Sequence, residues 1–417
     1  MTAPRTPLTP AEANQAILAD LRPLPPERVP ILEARDRILA QQITSSMDIP
    51  PWDNSSMDGY AVRATDLRMG RLVLHVVEEV AAGSFPTRPI GSGECARVFT
   101  GAPIPEGADS VIRQEHTTRL DSTGVRIDDL GDVGRNVRRR GEDIVRGSVV
   151  LEPGTEIGAA QIGLLASLVQ REVDVHGRPR VALLSSGDEI VDLDQRDLIL
   201  SGRKIASSNS YTMIAMTLAT GAEPVSFGIA ADEPGVLRQR LGEAAAADLI
   251  VTSGAMSVGA HDHLRPILEE SGTTMKFWRL KTRPGAPVGF GIVHGTPWIG
   301  LPGNPVSTMV SFEMFVRPAI RRLMGHGRLF RRARQVRIGE PVSTPPKLTH
   351  FLRVRVAEEE GALVARLTGS QGSHILTSMD KADALLIVPE DVDRLEVGDQ
   401  AKAILLRESE YVEEMPY

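Results

Sequence analysis

Helical spacing appears first. "TPAEANQAILADL" (9–21) sets Thr9 and Glu12 at a capping-box interval around Pro10 and continues with apolar residues three and four apart, which predicts a helix. "PLPPERVPI" interrupts that pattern, and "ILEARDRILA" (31–40) predicts a second, shorter helix. From 64 to 150 the spacing changes to short alternating runs, "RLVLHVVEEV", "ARVFTGAPI", "SVIRQEHT" and "GVRIDDL", punctuated by glycine and proline. This predicts a small antiparallel β-domain. "GAAQIGLLASLVQ" returns to helical spacing before a break at "REVDVHGRPR".

Beyond 181, apolar strands alternate with amphipathic helices. "VALLSS", "EPVSFGIA", "DLIVTSG", "APVGFGIV" and "PWIGLPG" read as strands; "SNSYTMIAMTLATG", "EPGVLRQRLGEAAAA", "HDHLRPILEES" and "NPVSTMVSFEMFVRPAIRRLMG" read as helices. Alternation of this kind predicts an α/β domain with a largely parallel sheet, whose ligands bind beyond the carboxyl ends of the strands. A basic stretch, "RRLMGHGRLFRRAR", reads as a solvated linker face, and "THFLRVRVA", "ALVARL", "ALLIVP" and "AKAILL" predict a C-terminal β-barrel or sandwich.

Length and charge narrow the possibilities. At 417 residues with 41% hydrophobic and 24% charged positions, the chain exceeds one ordinary core and should form several domains. A net charge of −7 gives no global attraction to nucleic acid. Neither a long apolar span nor a signal-peptide pattern is visible, so a cytoplasmic protein without membrane association is expected. The single cysteine, Cys95, reads as a small buried hydrophobe.

Polar clusters sit where the strands end. "SSGDEI" (185–190), "ADE" (231–233) and "SGAMSVGAHDH" (253–263) each follow a strand, so Glu189, Asp232 and Asp262 can converge on one rim. Taken singly, each carboxylate fits a helix N-cap better; three at successive strand ends among glycine-rich turns favour a site suited to Mg²⁺ bridging a phosphate. His261 and His263 lack the further spacing of a transition-metal site. "WRLKTRPGAPVGFG" (278–291) offers Arg279, Lys281 and Arg283 to an oxyanion. "GLPGNPVS" combines capping grammar at Asn304–Pro305 with a Gly-Pro density suited to close ligand approach.

Taken in order, "DNSSMDGYAVR", "TGAPIPEGAD", "NVRRRGEDI", "SSGDEI", "SGAMSVG", "RPGAP" and "GLPGNPVS" resemble the molybdopterin molybdenumtransferase (molybdenum insertase) family, which includes the E domain of gephyrin. The resemblance runs from about residue 9 to about 406. It implies an elongated domain from 1–46 and 148–176, an inserted β-domain at 47–147, a molybdopterin-binding α/β domain at 177–328 and a C-terminal β-barrel at 329–417. It also allows the N-terminal helix to pack on the α/β domain. It further implies a homodimer whose site lies between the α/β domain of one subunit and the β-domain of the other, with Asp58 presented across the interface.

The implied reaction joins adenylylated molybdopterin and molybdate, with Mg²⁺, to give molybdenum cofactor and AMP. By motif, Asp58, Thr100, Arg138 and Asp143 come from the β-domain, and Glu189, Asp232, Ser257 and Asp262 from the α/β domain. Asp58, Asp143, Glu189, Asp232 and Asp262 are the implied catalytic set. Arg279, Arg283, Pro302 and Pro305 line the anion pocket, Arg353 and Ser373 reach in from the barrel, and Glu189 or Asp262 holds Mg²⁺. Departures from the family pattern are Ala255 for glycine, Ala286 for lysine, Ser207 for aspartate and Ala231 where a basic residue is frequent. They motivate an alternative, a non-catalytic carrier of molybdopterin or finished cofactor; a scaffold role is the third reading. Replacement of lysine by Arg283 is weak evidence, since only six of the 47 basic residues are lysine.

Overall fold

In the computed structural model, the described residues are 6–407 apart from 232, 255, 257–263 and 271. They form two compact units: one of residues up to Val29, Ala34–Ala40 and Asp174 onward, the other of Pro30–Glu33 and Gln41–Val173. Helix α1 (Pro10–Asp20) carries the expected capping box, Thr9 and Glu12 bonding reciprocally. It buries Ala13, Ile17 and Leu21 in the same apolar cluster as Val181, Leu183, Val251 and Phe312, so it packs on the α/β domain.

The helix expected over 31–40 does not form. Asp36 takes a positive φ of 60°. The Arg37 guanidinium turns inward to the His176 carbonyl, at 2.7 Å, and to Glu27, while Ala40 N–H donates to Asp174 O. Tertiary bonds claim this segment's polar groups and override its local periodicity.

The second unit holds a six-stranded sheet of β1 (Gly59–Val62), β2 (Val73–Val80), β3 (Glu94–Val98), β4 (Ser110–Arg113), β5 (Thr117–Arg119) and β6 (Gly124–Ile127), in the order β4-β1-β3-β2-β6-β5. Contrary to the expected antiparallel domain, β2 and β3 run parallel. The thirteen residues 81–93 between these strands have room to return the chain before β3 enters. Cys95 is fully buried here, and burial pushes its thiol up to about 12. Helix α2 (Ala159–Ser167) lies where its spacing predicted.

The α/β sheet comprises β7 (Arg180–Ser186), β8 (Glu223–Ala230), β9 (Leu249–Ser253), β10 (Thr274–Phe277), β11 (Gly289–Val293) and β12 (Thr296–Leu301), ordered β8-β7-β9-β12-β11-β10. The four strands β8, β7, β9 and β12 are parallel; β11 and β10 close the sheet antiparallel. Strand β10 was missed because "TMKF" is short and carries Lys276. Helices α3 (Ser208–Leu218), α4 (Pro234–Ala244) and α5 (Leu264–Glu270) connect the strands. The long final pattern becomes α6 (Pro305–Ser311), a π-helical turn at Phe312–Val316 and α7 (Arg317–Leu323); Pro318 lacks the N–H that a regular ladder needs.

Strands β13 (Ala333–Ile338), β14 (Thr349–Glu359), β15 (Ala362–Leu367), β16 (Ala384–Val388) and β17 (Gln400–Leu405) close into a barrel, β14 pairing with both β15 and β16. Val306 and Val310 of α6 share an apolar cluster with Phe351 and Leu385 of the barrel, which fixes the barrel loops against the α/β domain. The basic stretch between them is partly internal: Arg331 closes on buried Glu313, which also binds Arg317. No helix among the described residues is long and apolar enough to cross a membrane.

In the same stretch His326 is 5% exposed, and its Nδ1 lies 2.9 Å from the Arg321 guanidinium. Burial, helped by Arg321, lowers its pKa to about 4. The unfolded state therefore binds the proton first as pH falls below about 6.5, and stability is lost between that pH and about 4. Denaturant melts should show a loss of about 1–2 kcal/mol between pH 7 and pH 5 that His326→Gln abolishes.

Candidate active site at the strand ends

The carboxyl ends of β7, β9 and β12 open into a cleft of about 620 Å³ lined by Ser185–Gly187, Glu189, Ser207–Asn209, Ser253–Gly254 and residues 302–305. One hydrogen-bonded staple holds these turns together. Asn209 Nδ2 donates to Ser253 Oγ at 2.8 Å and to Gly303 O at 2.7 Å. Ser253 Oγ donates to Pro302 O at 3.1 Å, and Thr308 Oγ1 reaches the same carbonyl at 2.6 Å. Beside it, Ser210 Oγ sits 2.8 Å from both Ser185 Oγ and Ser207 Oγ. The Ser207 hydroxyl is thus part of a serine chain.

Glu189 is exposed at the rim of this cleft, and no described residue donates a hydrogen bond to its carboxylate. An uncommitted carboxylate beside glycine and serine turns fits the oxygen preference of a hard cation and its phosphate. Asp232, Ser257 and Asp262 lie outside the described residues. Among the described residues no three metal-ligating side chains converge. Pro302 and Pro305 line the cleft.

The basic loop is held on both sides. Lys281 N–H donates to Leu8 O at 2.7 Å, Thr349 N–H donates to Lys281 O at 3.0 Å, and Thr282–Arg283 pairs with Thr349–His350 of the barrel. Leu280 and Thr282 point inward while Arg279 and Arg283 are exposed. Neither of those guanidinium groups has a hydrogen-bond or ion-pair partner among the described residues. Neither lines the cleft. The Thr9 hydrogen bonds hold the Glu12 carboxyl below its ordinary range, and the Lys281 charge adds to them.

The barrel residues act differently from the expectation. Arg353 is fully buried, bonded through Nε to Ser378 Oγ at 3.1 Å and through a terminal nitrogen to Gly372 O at 3.1 Å, and burial lowers its pKa to about 10. It shapes the "GSQGSHI" loop from beneath. Ser373 O accepts from Val306 N–H at 3.0 Å, which brings His374, rather than an arginine, into the cleft lining. His374, Asn209 and the serine chain were not singled out as site residues. Only the tertiary closure of separate turns reveals them.

In the other unit, Asp58 Oδ1 accepts from Thr100 N–H at 2.8 Å and Thr100 Oγ1 at 2.9 Å. These bonds, the backbone one first, hold its carboxyl below the usual range. Arg138 and Asp143 are exposed, and neither side chain is engaged among the described residues.

Comparison with known proteins follows the same domains. Residues 8–169 match the MoeA N-terminal region (domain I and II), 182–322 a probable molybdopterin binding domain and 335–406 the MoeA C-terminal region (domain IV). The chain is 32% identical to the molybdopterin molybdenumtransferase of Haemophilus influenzae over 94% of its own length and 97% of that protein. The chain belongs to the molybdopterin molybdenumtransferase family. It is also 39% identical to the Nostoc sp. enzyme over 72% of the chain and 70% of that protein. The molybdopterin biosynthesis MoeA protein of Pyrococcus horikosii superposes with a TM-score of 0.82 at 30% identity, over 97% of this chain and 100% of that one.

Within this family frame, Gly254 marks a point the cleft cannot alter. Its φ is +98°, and a Cβ there would lie 2.2 Å from Ser186 O. Gly254→Ala should destabilise the fold by roughly 2–4 kcal/mol in denaturant titration and remove ligand binding at the cleft.

Proposed function

We propose that the chain is an active molybdenum insertase of the cytoplasm: it takes adenylylated molybdopterin and molybdate and yields molybdenum cofactor and AMP. The observation that carries this reading is a single cleft joining the three turns that follow β7, β9 and β12, in a chain whose family match spans nearly its full length. The turns at Ser186–Gly187 and Ser253–Gly254 bring backbone close to an anion, as a pyrophosphate requires. Arg279 and Arg283 supply cationic donors for phosphate or molybdate. Glu189, with Asp262, would hold Mg²⁺, which when bound neutralises charge on the pyrophosphate oxygens.

Asp58, Thr100, Arg138 and Asp143 would complete the site of the opposite subunit in a homodimer. The Asp58 carboxylate is preset by Thr100 with one oxygen left over, which suits a group that receives a donor or cation from a substrate. The carrier alternative rests on Ala255, Ala286 and Ser207. Ser207 keeps hydrogen-bonding capacity through Ser210, and the relatives bear transferase names, so catalysis is the reading favoured here.

Purified protein given adenylylated molybdopterin, molybdate and Mg²⁺ should release AMP; tight binding without AMP would select the carrier instead. Glu189→Gln should lower the rate by about 10²–10³-fold while ligand binding persists. Mixing Asp58→Ala and Glu189→Ala chains should restore part of the lost activity once heterodimers are shown to form, because one of the two sites is then intact. No recovery in proven heterodimers would rule out a shared site.

A further inference from the structure

We propose that Asp53 is a positioning residue for Arg138: by holding the Arg139 guanidinium and the Arg140 backbone, with Asp48 on the Arg140 guanidinium, it leaves Arg138 as the one cation of "RRR" free to meet the anionic substrate. This rests on the functional reading above, in which the β-domain contributes Arg138 to the site.

The geometry is a clamp between two short segments. Val137–Arg138 pairs antiparallel with Asn54–Ser55, Arg138 opposite Asn54. The residue before that ladder is Asp53, and both of its oxygens are used on the far side of Arg138. Oδ1 accepts from Arg140 N–H at 2.8 Å, and Oδ2 accepts from the Arg139 guanidinium at 2.7 Å. Asp48 repeats the device one step on, with Oδ2 on Arg140 Nε at 2.6 Å and Oδ1 on Arg146 N–H at 2.7 Å. Glu142 accepts from Arg139 N–H at 2.7 Å, and Gly141 N–H donates to Pro50 O at 2.9 Å. Arg139 and Arg140 are therefore each neutralised and oriented by a carboxylate. The Arg138 side chain has no such partner among the described residues.

Three adjacent uncompensated arginines would offer an anion several competing registers, each with a flexible side chain. Two clamped neighbours leave a single register. The pairs are largely exposed, with 60% and 38% side-chain exposure for Arg139 and Asp53, and exposed pairs contribute little to stability. The consequence of the clamp is therefore mainly geometric. Ionisation supports it: the Arg140 N–H bond is the largest influence holding the Asp53 carboxyl below its usual range.

The test is a double-mutant cycle on the full-length protein, reading kcat and KM for adenylylated molybdopterin by AMP release, together with Tm. Asp53→Asn should raise KM on the order of tenfold with kcat little changed and Tm preserved. Arg139→Gln, which breaks the same pair from its exposed side, should do likewise if Asp53→Asn folds poorly. In an Arg138→Ala background, which itself raises KM, adding Asp53→Asn should cost nothing more. Multiplicative effects in the double variant, an unchanged KM in both Asp53→Asn and Arg139→Gln, or an unchanged KM in Arg138→Ala would each overturn the clamp. A wild-type protein that releases no AMP would instead overturn the functional reading on which it rests.

Discussion

Everything at the strand ends depends on one amide. Asn209 gives both N–H groups of its side chain to different strand ends, Ser253 closing β9 and Gly303 after β12, from a position in the first turn of α3. Parallel strands present their carboxyl ends side by side, but the loops that follow are free to diverge unless something ties them. Asn209, Ser253 and Thr308 tie them through short polar bonds whose members are largely buried, and removing a partner from such a network leaves a desolvated donor or acceptor behind. The cleft is consequently a built feature of the fold.

A division of labour follows between side chains spent on holding structure and side chains left free for the proposed site. Arg353 shows the first kind: a fully buried guanidinium whose charge-assisted bonds set the path of a barrel loop. Thr308, Ser210 and Asp53 belong with it. Glu189, Arg138, Arg279 and Arg283 show the second kind, exposed and uncommitted among the described residues. A substrate bearing phosphates needs cations and carboxylates that are not already satisfied by the protein, and those are the residues the fold leaves unspent.

Much of the architecture was legible because it is periodic. The alternation of strands and helices after 181, the capped first helix and the barrel strands all follow from spacing alone. What spacing missed was set by tertiary contacts. The segment 31–40 has helical apolar intervals but spends Arg37 and its backbone on residues 174–176; β2 and β3, expected in an antiparallel domain, pair parallel. Of the acidic positions that follow strands, Glu189 sits at the cleft and Asp232 and Asp262 lie outside the described residues, while His374 and Asn209 join the cleft through folding alone. Arg353 could be placed on a strand from sequence, yet its complete burial under the loop could not.

The central claim is that the strand-end cleft receives the pterin nucleotide. The most direct measurement is a crystal structure of the Glu189→Gln variant grown with adenylylated molybdopterin. The account predicts pyrophosphate density across the turns at Ser186–Gly187 and Gly254. Ligand density wholly outside the cleft, for instance in the apolar groove between α1 and the barrel near Asn14 and Phe351, would contradict it.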